Sequence, residues 1–267
     1  KVILEVVSYN LDCMIFNEIA YEKKINTIEL QHGVMSGSIA YYYPKNVLIK
    51  QFPQKVFLFS DYWKNCISVP LEDKNVISVG YPYFEEQVKK YQKINCDKNK
   101  TTKVILFLSQ WTIGENFSKF AVEFNNLING KWKIIYKLHP GEYANWKKRY
   151  PWLVNSGIEV VDSLRHNIYE YFAVSNVQVG VSSTAIFEGL GFGLDTFIFN
   201  TVSAECMKQL CQDGFAAEVN SAKELADKLE KNIKSKKNKD KLFWKENAFN
   251  NLCVEINKCI DSTTACS

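Results

Sequence analysis

With 267 residues, 46% hydrophobic and 23% charged side chains and a formal charge of +4, the chain has the usage of a packed globular protein with room for one large α/β domain or two small ones. That usage excludes wholesale disorder, and the longest apolar runs, Val104 to Leu108 and Val177 to Val181, fall far short of the ~20 residues of a membrane helix. The charge is modest and comes without aromatic-basic interleaving, so nucleic acid is not an expected partner.

In the first hundred residues, β-rich runs at Val2 to Ser8, Thr27 to Gln31, Lys55 to Phe59 and Val76 to Val79 predict strands. Asp12 to Lys23, with Ile15, Ile19 and Ala20 on one face, predicts the crossover helix between the first two. Val88 to Thr102 is rich in Lys and Asn and has the composition of a linker. A second series follows. Strands are predicted at Lys103 to Ser109, Lys133 to Leu138, Gly157 to Val161, Asn176 to Val181 and Asp195 to Phe199. Helices are predicted at Phe117 to Ile128, Tyr143 to Tyr150 (stopped by Pro151), Asn167 to Ala173 and Ser183 to Leu190. This is a doubly wound order of elements with parallel strands. Helices at Ala222 to Lys231 and Lys241 to Ile260 close the chain. The expected division is a partial N-terminal domain over 1–90, a linker over 91–102, a second domain over 103–240 and a terminal helix over 241–267.

Eight cysteines occur without a C-x-x-C pair, so reduced thiols and a cytoplasmic location are expected. Lys1 leads directly into the apolar run Val2 to Val7, which suggests that the natural protein has residues upstream. Lys231, Lys234, Lys236, Lys237, Lys239 and Lys241 form a basic run. Such a run is either a solvated face or a weak attraction to anionic lipid at the inner face of the membrane.

Ligands of doubly wound sheets sit beyond the carboxyl ends of the strands, so the residues just after each strand carry the functional expectation. Three places stand out. In Lys137-Leu138-His139-Pro140-Gly141-Glu142 a strand runs into His139, and Pro140 ends the ladder. A histidine there either donates to a phosphate and offsets charge on a departing nucleotide or satisfies a loop carbonyl. In Val181-Ser182-Ser183-Thr184 the strand ends in hydroxyls at a helix start, which makes either a phosphate site or simple N-capping. Glu188, one turn on, either reaches a ribose hydroxyl or lies on the surface. In Thr27-Ile28-Glu29-Leu30-Gln31-His32-Gly33, Glu29 or His32 is placed to deprotonate an acceptor hydroxyl, with Asp12 a third candidate base or an N-cap. Gln110 and Trp111 follow the first strand of the second series, where Trp111 stacks on a base or packs.

Taken together, His139-Pro140 and Ser182-Ser183, about forty residues apart, resemble the paired His-Pro and Ser-Ser motifs of bacterial sialyltransferases, polysialyltransferases and Kdo transferases. Similar elements, and a Gln-His-Gly like Gln31 to Gly33, occur in the glycerol- and ribitol-phosphate polymerases of teichoic acid synthesis. Val79-Gly80-Tyr81-Pro82 resembles the V-G-x-P turn of GT-B glycosyltransferases. The resemblance implies two facing Rossmann-like domains with the N-terminal one incomplete. It also implies that His139, Ser182 and Ser183 contact the phosphate of a cytidine nucleotide, with Pro140 and Thr184 beside them in the same binding site. The implied activity is transfer from a nucleotide-sugar donor, a CMP-sugar, to a glycan or lipid-linked glycan acceptor of the bacterial surface, with no cofactor. Because Asp and Glu are scattered and no D-x-D accompanies the phosphate elements, metal-independent transfer is expected. A CDP-glycerol or CDP-ribitol phosphotransferase, a UDP-sugar epimerase and a non-catalytic nucleotide-sugar-binding subunit are the alternatives.

Overall fold

The computed structural model describes residues 1–45, 47–91, 102–235 and 242–264. The chain divides into two compact units, residues 1–86 with 239–267, and residues 87–238.

The first unit is built on a parallel sheet of β1 (Val2–Glu5), β2 (Asn26–Leu30), β3 (Lys55–Leu58) and β4 (Val76–Ser78), in that spatial order. Between β1 and β2 runs α1 (Leu11–Glu22). The expected apolar face is only partly used: Ala20 is buried, whereas Ile15 and Ile19 remain close to half exposed. Contact runs instead through Asn17, a buried side chain whose amide donates to Glu5 at 2.8 Å and to the Gln51 carbonyl at 3.2 Å. Asp12 does not cap this helix. Asn10 does, its side chain accepting from the Asp12 N–H at 3.1 Å, and Asp12 sits in the first turn, where a carboxylate complements the dipole.

Short α2 (Asp61–Lys64) follows β3, and α3 (Pro82–Tyr91) follows β4. Residues 88–91 of the expected linker are therefore helical. Gln87 and Tyr91 are buried, and Lys89 and Lys90 complement the carboxyl end of the helix. Residues 92–101 lie outside the described ones.

The second unit holds β5 (Lys103–Leu108), β6 (Trp132–Lys137), β7 (Glu159–Val161), β8 (Val177–Gly180), β9 (Asp195–Phe199) and β10 (Ala217–Val219). All pair in parallel, in the order β7-β6-β5-β8-β9-β10. Counted from its first strand this is order 3-2-1-4-5-6, the doubly wound sheet. The apolar run of β5 and the buried β8, which carries Gln178 among its apolar residues, are the two central strands, covered on both faces. Phe107 on β5 packs against Phe117, Phe120 and Phe124, which repeat at helical spacing along α4 (Gly114–Ile128).

The helix expected over Tyr143 to Tyr150 is shortened to its second half. The chain forms a 3-10 turn at Pro140–Glu142, then α5 (Trp146–Arg149) and α6 (Pro151–Val154). Pro151 begins a helix here rather than ending one, because the first helical position has no use for an N–H. The unit is completed by α7 (Ile168–Val174), α8 (Thr184–Gly191), α9 (Lys208–Gln212) and α10 (Ala222–Glu230). Asn167, Ser183 and Ser221 cap α7, α8 and α10 with their side chains.

The closing helix, α11 (Ala248–Thr264), starts seven residues later than the helical pattern predicts, after Asn247 in the left-handed region at φ 57°. Phe243 and Trp244, expected within it, are buried ahead of it. Cys259, with Leu252 and Ile256, packs on the Ile28, Phe57 and Val79 core, so this helix belongs to the first unit. The six described cysteines are free thiols. Among the described residues no helix is long and apolar enough to cross a membrane.

Candidate functional site

In the second sheet the crossovers run one way from β5 to β7 and the other way from β8 to β10, so the chain direction switches between the neighbours β5 and β8. Beyond the carboxyl ends of such a pair the loops diverge and leave a crevice. A cavity of about 570 Å³ lies there, lined by Ser109 after β5, His139 and Pro140 after β6, and Ser183 after β8. The two motifs, separate in sequence, thus share one cavity because β6 and β8 flank β5 on either side.

His139 is held by its own turn. Its Nδ1 accepts the Gly141 N–H at 3.1 Å, and its backbone N–H donates to the Glu142 carboxylate at 2.7 Å. With Nδ1 an acceptor, the proton of the neutral ring resides on Nε2, leaving that atom as a donor. Glu142 is fully buried and also accepts from the Tyr150 hydroxyl at 2.6 Å and from Ser109 at 3.1 Å. Burial, and donation to this carboxylate, push the Tyr150 hydroxyl far up. Room for the pair depends on Gly114, where a Cβ would stand 2.0 Å from the Tyr150 hydroxyl and 2.3 Å from Glu142 Oε1. Trp111 is about half exposed and is not part of the core, with the Arg149 guanidinium 4.1 Å from its ring centre.

Ser183 caps α8, its hydroxyl oxygen accepting the Ala185 N–H at 3.2 Å, and also faces the cavity. Capping and cavity lining therefore coexist. Its partner Ser182 is tied to Gln110, donating through its N–H at 3.0 Å and its hydroxyl at 3.3 Å to the same side-chain oxygen. Thr184 opens α8. Glu188 is not a surface residue: it is buried, accepts from Tyr169 at 3.0 Å and is not among the residues lining the cavity.

Burial pushes the Glu188 carboxyl up to about 7, with the Tyr169 hydrogen bond pulling the other way. The folded chain therefore holds this proton more tightly than the unfolded chain. The stability it contributes is full below the ordinary carboxylate range and is lost as pH rises through about 7. Glu188→Gln should remove a fall on the order of 1–3 kcal/mol between pH 5 and pH 8, read from urea unfolding at both values. An equal fall in the variant and the parent would refute the assignment.

Four basic lining residues escaped the sequence reading: Lys90, Lys137, Arg165 and His166. Lys137 ends β6, two residues before His139, and burial lowers its pKa while the charges of Glu142 and Asp162 act the other way. A lysine between the apolar residues Ile134 to Tyr136 and Leu138 was the available signal. Arg165 and His166 precede the Asn167 cap of α7 in a loop without a periodic pattern.

Of the three candidate bases, all in the first unit, Glu29 is fully buried. Its carboxylate accepts from the Ser8 hydroxyl at 2.7 Å, the Ser8 N–H at 3.2 Å and the Tyr41 hydroxyl at 2.7 Å. Burial, reinforced by the Glu29 charge, pushes the Tyr41 hydroxyl far up. His32 is exposed, beyond the carboxyl end of β2, next to Gln31, which anchors the loop to the Gly33 carbonyl and the Phe59 N–H. Asp12 is exposed on α1. Among the described residues no three His, Cys, Asp or Glu side chains gather as a metal cage.

No family model and no curated protein matches the sequence. Solved structures do match. The wall teichoic acid polymerase TagF is 12% identical with a TM-score of 0.55, over 90% of this chain and 69% of that one. The UDP-GlcNAc 2-epimerase of Methanocaldococcus jannaschii, in complex with UDP-GlcNAc and UDP, is 13% identical with a TM-score of 0.62, over 96% and 75%. That of Neisseria meningitidis, bound to UDP-GlcNAc, is 14% identical with a TM-score of 0.63, over 97% and 76%. Two parallel sheets in a mixed α/β chain, similar to these structures, give a fold of the GT-B type.

Proposed function

We propose that this chain belongs to a metal-independent glycosyltransferase that binds a nucleotide-activated sugar, CMP-linked in the first instance, in the cavity of its second unit. The observation that carries the reading is a cation-lined cavity at the switch point of a 3-2-1-4-5-6 sheet, with His139 on one wall and the Ser183 cap of α8 on another. Helix N–H groups, a serine hydroxyl and an imidazole N–H are the donors that a phosphate accepts. As the nucleotide departs, the growing charge is met by His139 and the neighbouring cations, the task a metal ion performs elsewhere.

Acceptor deprotonation is assigned to His32, whose ring is exposed, in preference to Glu29, whose carboxylate is already engaged by three donors. Surface glycans, lipid-linked ones included, are the proposed acceptors, and a cytoplasmic site of action at the inner membrane face accords with the basic run. Lys236, Lys237, Lys239 and Lys241 of that run lie outside the described residues.

Titration with CMP, CDP and UDP, followed by thermal shift and calorimetry, tests the donor site. Ligand at 100 times its Kd should stabilise the protein by about 2.7 kcal/mol. The absence of a shift with every nucleotide would remove the reading. Turnover then separates the alternatives: a CDP-polyol phosphotransferase moves a phosphate with the polyol, an epimerase interconverts UDP-sugars without acceptor, and a binding subunit turns over nothing. The epimerase alternative shares its fold with the two structures that hold UDP-GlcNAc.

A further inference from the structure

Lys137 is 8% exposed at the end of β6, yet the two partners of its ammonium are both neutral. It donates to the Leu138 carbonyl at 3.1 Å and to the Tyr143 hydroxyl. Among the described residues no carboxylate lies within ion-pair distance of it. The lysines that do pair with carboxylates, such as Lys119 with Glu115 and Lys133 with Glu159, are all better exposed. Glu142 and Asp162 act on it only from beyond ion-pair distance, and a buried charge without a directly paired counter-charge is costly. An ammonium has three donors and two are used here, so one remains. The lowered pKa caused by burial is the same cost seen from the proton's side.

The cavity lining does not cancel the charge. Lys90 and Arg165 line the same cavity, and its single lining carboxylate, Glu170, is engaged by His166 at 2.9 Å and by the Asn167 N–H at 3.3 Å. One phosphate held by His139 and Ser183 would leave much of this positive charge unmet.

Resting on the donor-site reading above, we infer that Lys137 recognises a second anionic group of the donor, distinct from the phosphate assigned to His139 and Ser183. The donor class is then a nucleotide with two anionic groups. That chemistry has two sources, a nucleoside diphosphate linkage and a nucleoside monophosphate ester of an acidic sugar.

Calorimetric titration of the whole chain with CMP, CDP and CMP-N-acetylneuraminic acid distinguishes them. The parent should bind CDP or the acidic CMP-sugar at least about tenfold more tightly than CMP. Lys137→Met should weaken the two-anion ligand by about 10- to 100-fold, the worth of a charge-assisted contact, while CMP changes less than about threefold. Lys137→Arg should keep most of the preference. Equal losses for CMP and the two-anion ligand, or no loss with either, would overturn the assignment and leave the donor site standing. Should Lys137→Met not fold, the parent's own ratios decide: a preference below about threefold for both two-anion ligands refutes the inference. Failure of every nucleotide to bind the parent refutes both.

Discussion

His139→Ala is expected to lower kcat for transfer by about 100- to 1,000-fold, equivalent to 3–4 kcal/mol of transition-state stabilisation, while nucleotide affinity falls far less. The asymmetry follows from when its charge matters. The Gly141 N–H fixes Nδ1 as an acceptor, so the ring offers one preorganised Nε2 donor, worth most when negative charge grows on the leaving phosphate. Loss of the side chain also removes the cap of a 3-10 turn, so unfolding midpoints must be compared before rates are interpreted. Glu29→Gln and His32→Ala belong in the same assay. A true base leaves donor affinity intact and abolishes transfer to the acceptor. On the geometry, His32→Ala should meet that criterion, and Glu29→Gln should lose stability through its contacts with Ser8 and Tyr41. Near-parental transfer in all three variants would eliminate the catalytic assignment in favour of a binding subunit.

Glu142→Ala should be the most destabilising substitution considered, at about 4–6 kcal/mol by urea unfolding. Three donors converge on this buried carboxylate: the His139 N–H, the Tyr150 hydroxyl and the Ser109 hydroxyl. Truncation removes the acceptor of all three at a fully buried position, and Ser109 has an alternative partner, the Tyr136 hydroxyl at 3.1 Å. Glu142→Gln should cost less, because one amide oxygen still accepts while the NH₂ group faces donors. A loss below about 1 kcal/mol for Glu142→Ala would show that the network relaxes or hydrates, and the claim that it holds the His139 turn would fail.

Much of this architecture was legible in the residues themselves. The strands from β5 to β9 follow β-branched and aromatic runs bounded by Gly, Pro and Asn, and three of them end in the polar residues that meet at the cavity. What escaped was structure without a local signature. Ala217–Val219 is too short to alternate and exists as β10 because β9 offers it a paired edge. Glu142 reads as an ordinary turn carboxylate until Tyr150 and Ser109 are brought to it from other elements. Lys137 belongs to a strand whose alternation marks only which side it faces, and the cavity behind that side is made by β5 and β8. In α1, periodicity pointed to Ile15 and Ile19, whereas the contact is a polar one through Asn17.

The first unit is discontinuous in sequence, and this bears on the order in which the protein is made. Residues 87–238 leave the ribosome as one uninterrupted stretch, able to close their sheet at once. Residues 1–86 emerge earlier but lack α11, whose Leu252, Ile256 and Cys259 cover Ile28, Phe57 and Val79. At ~5–20 residues per second, the roughly 180 residues in between take about 10–40 seconds to synthesise. Throughout that interval the nascent four-stranded sheet presents an uncovered apolar face, so residues 1–86, made before the second unit, mature after it.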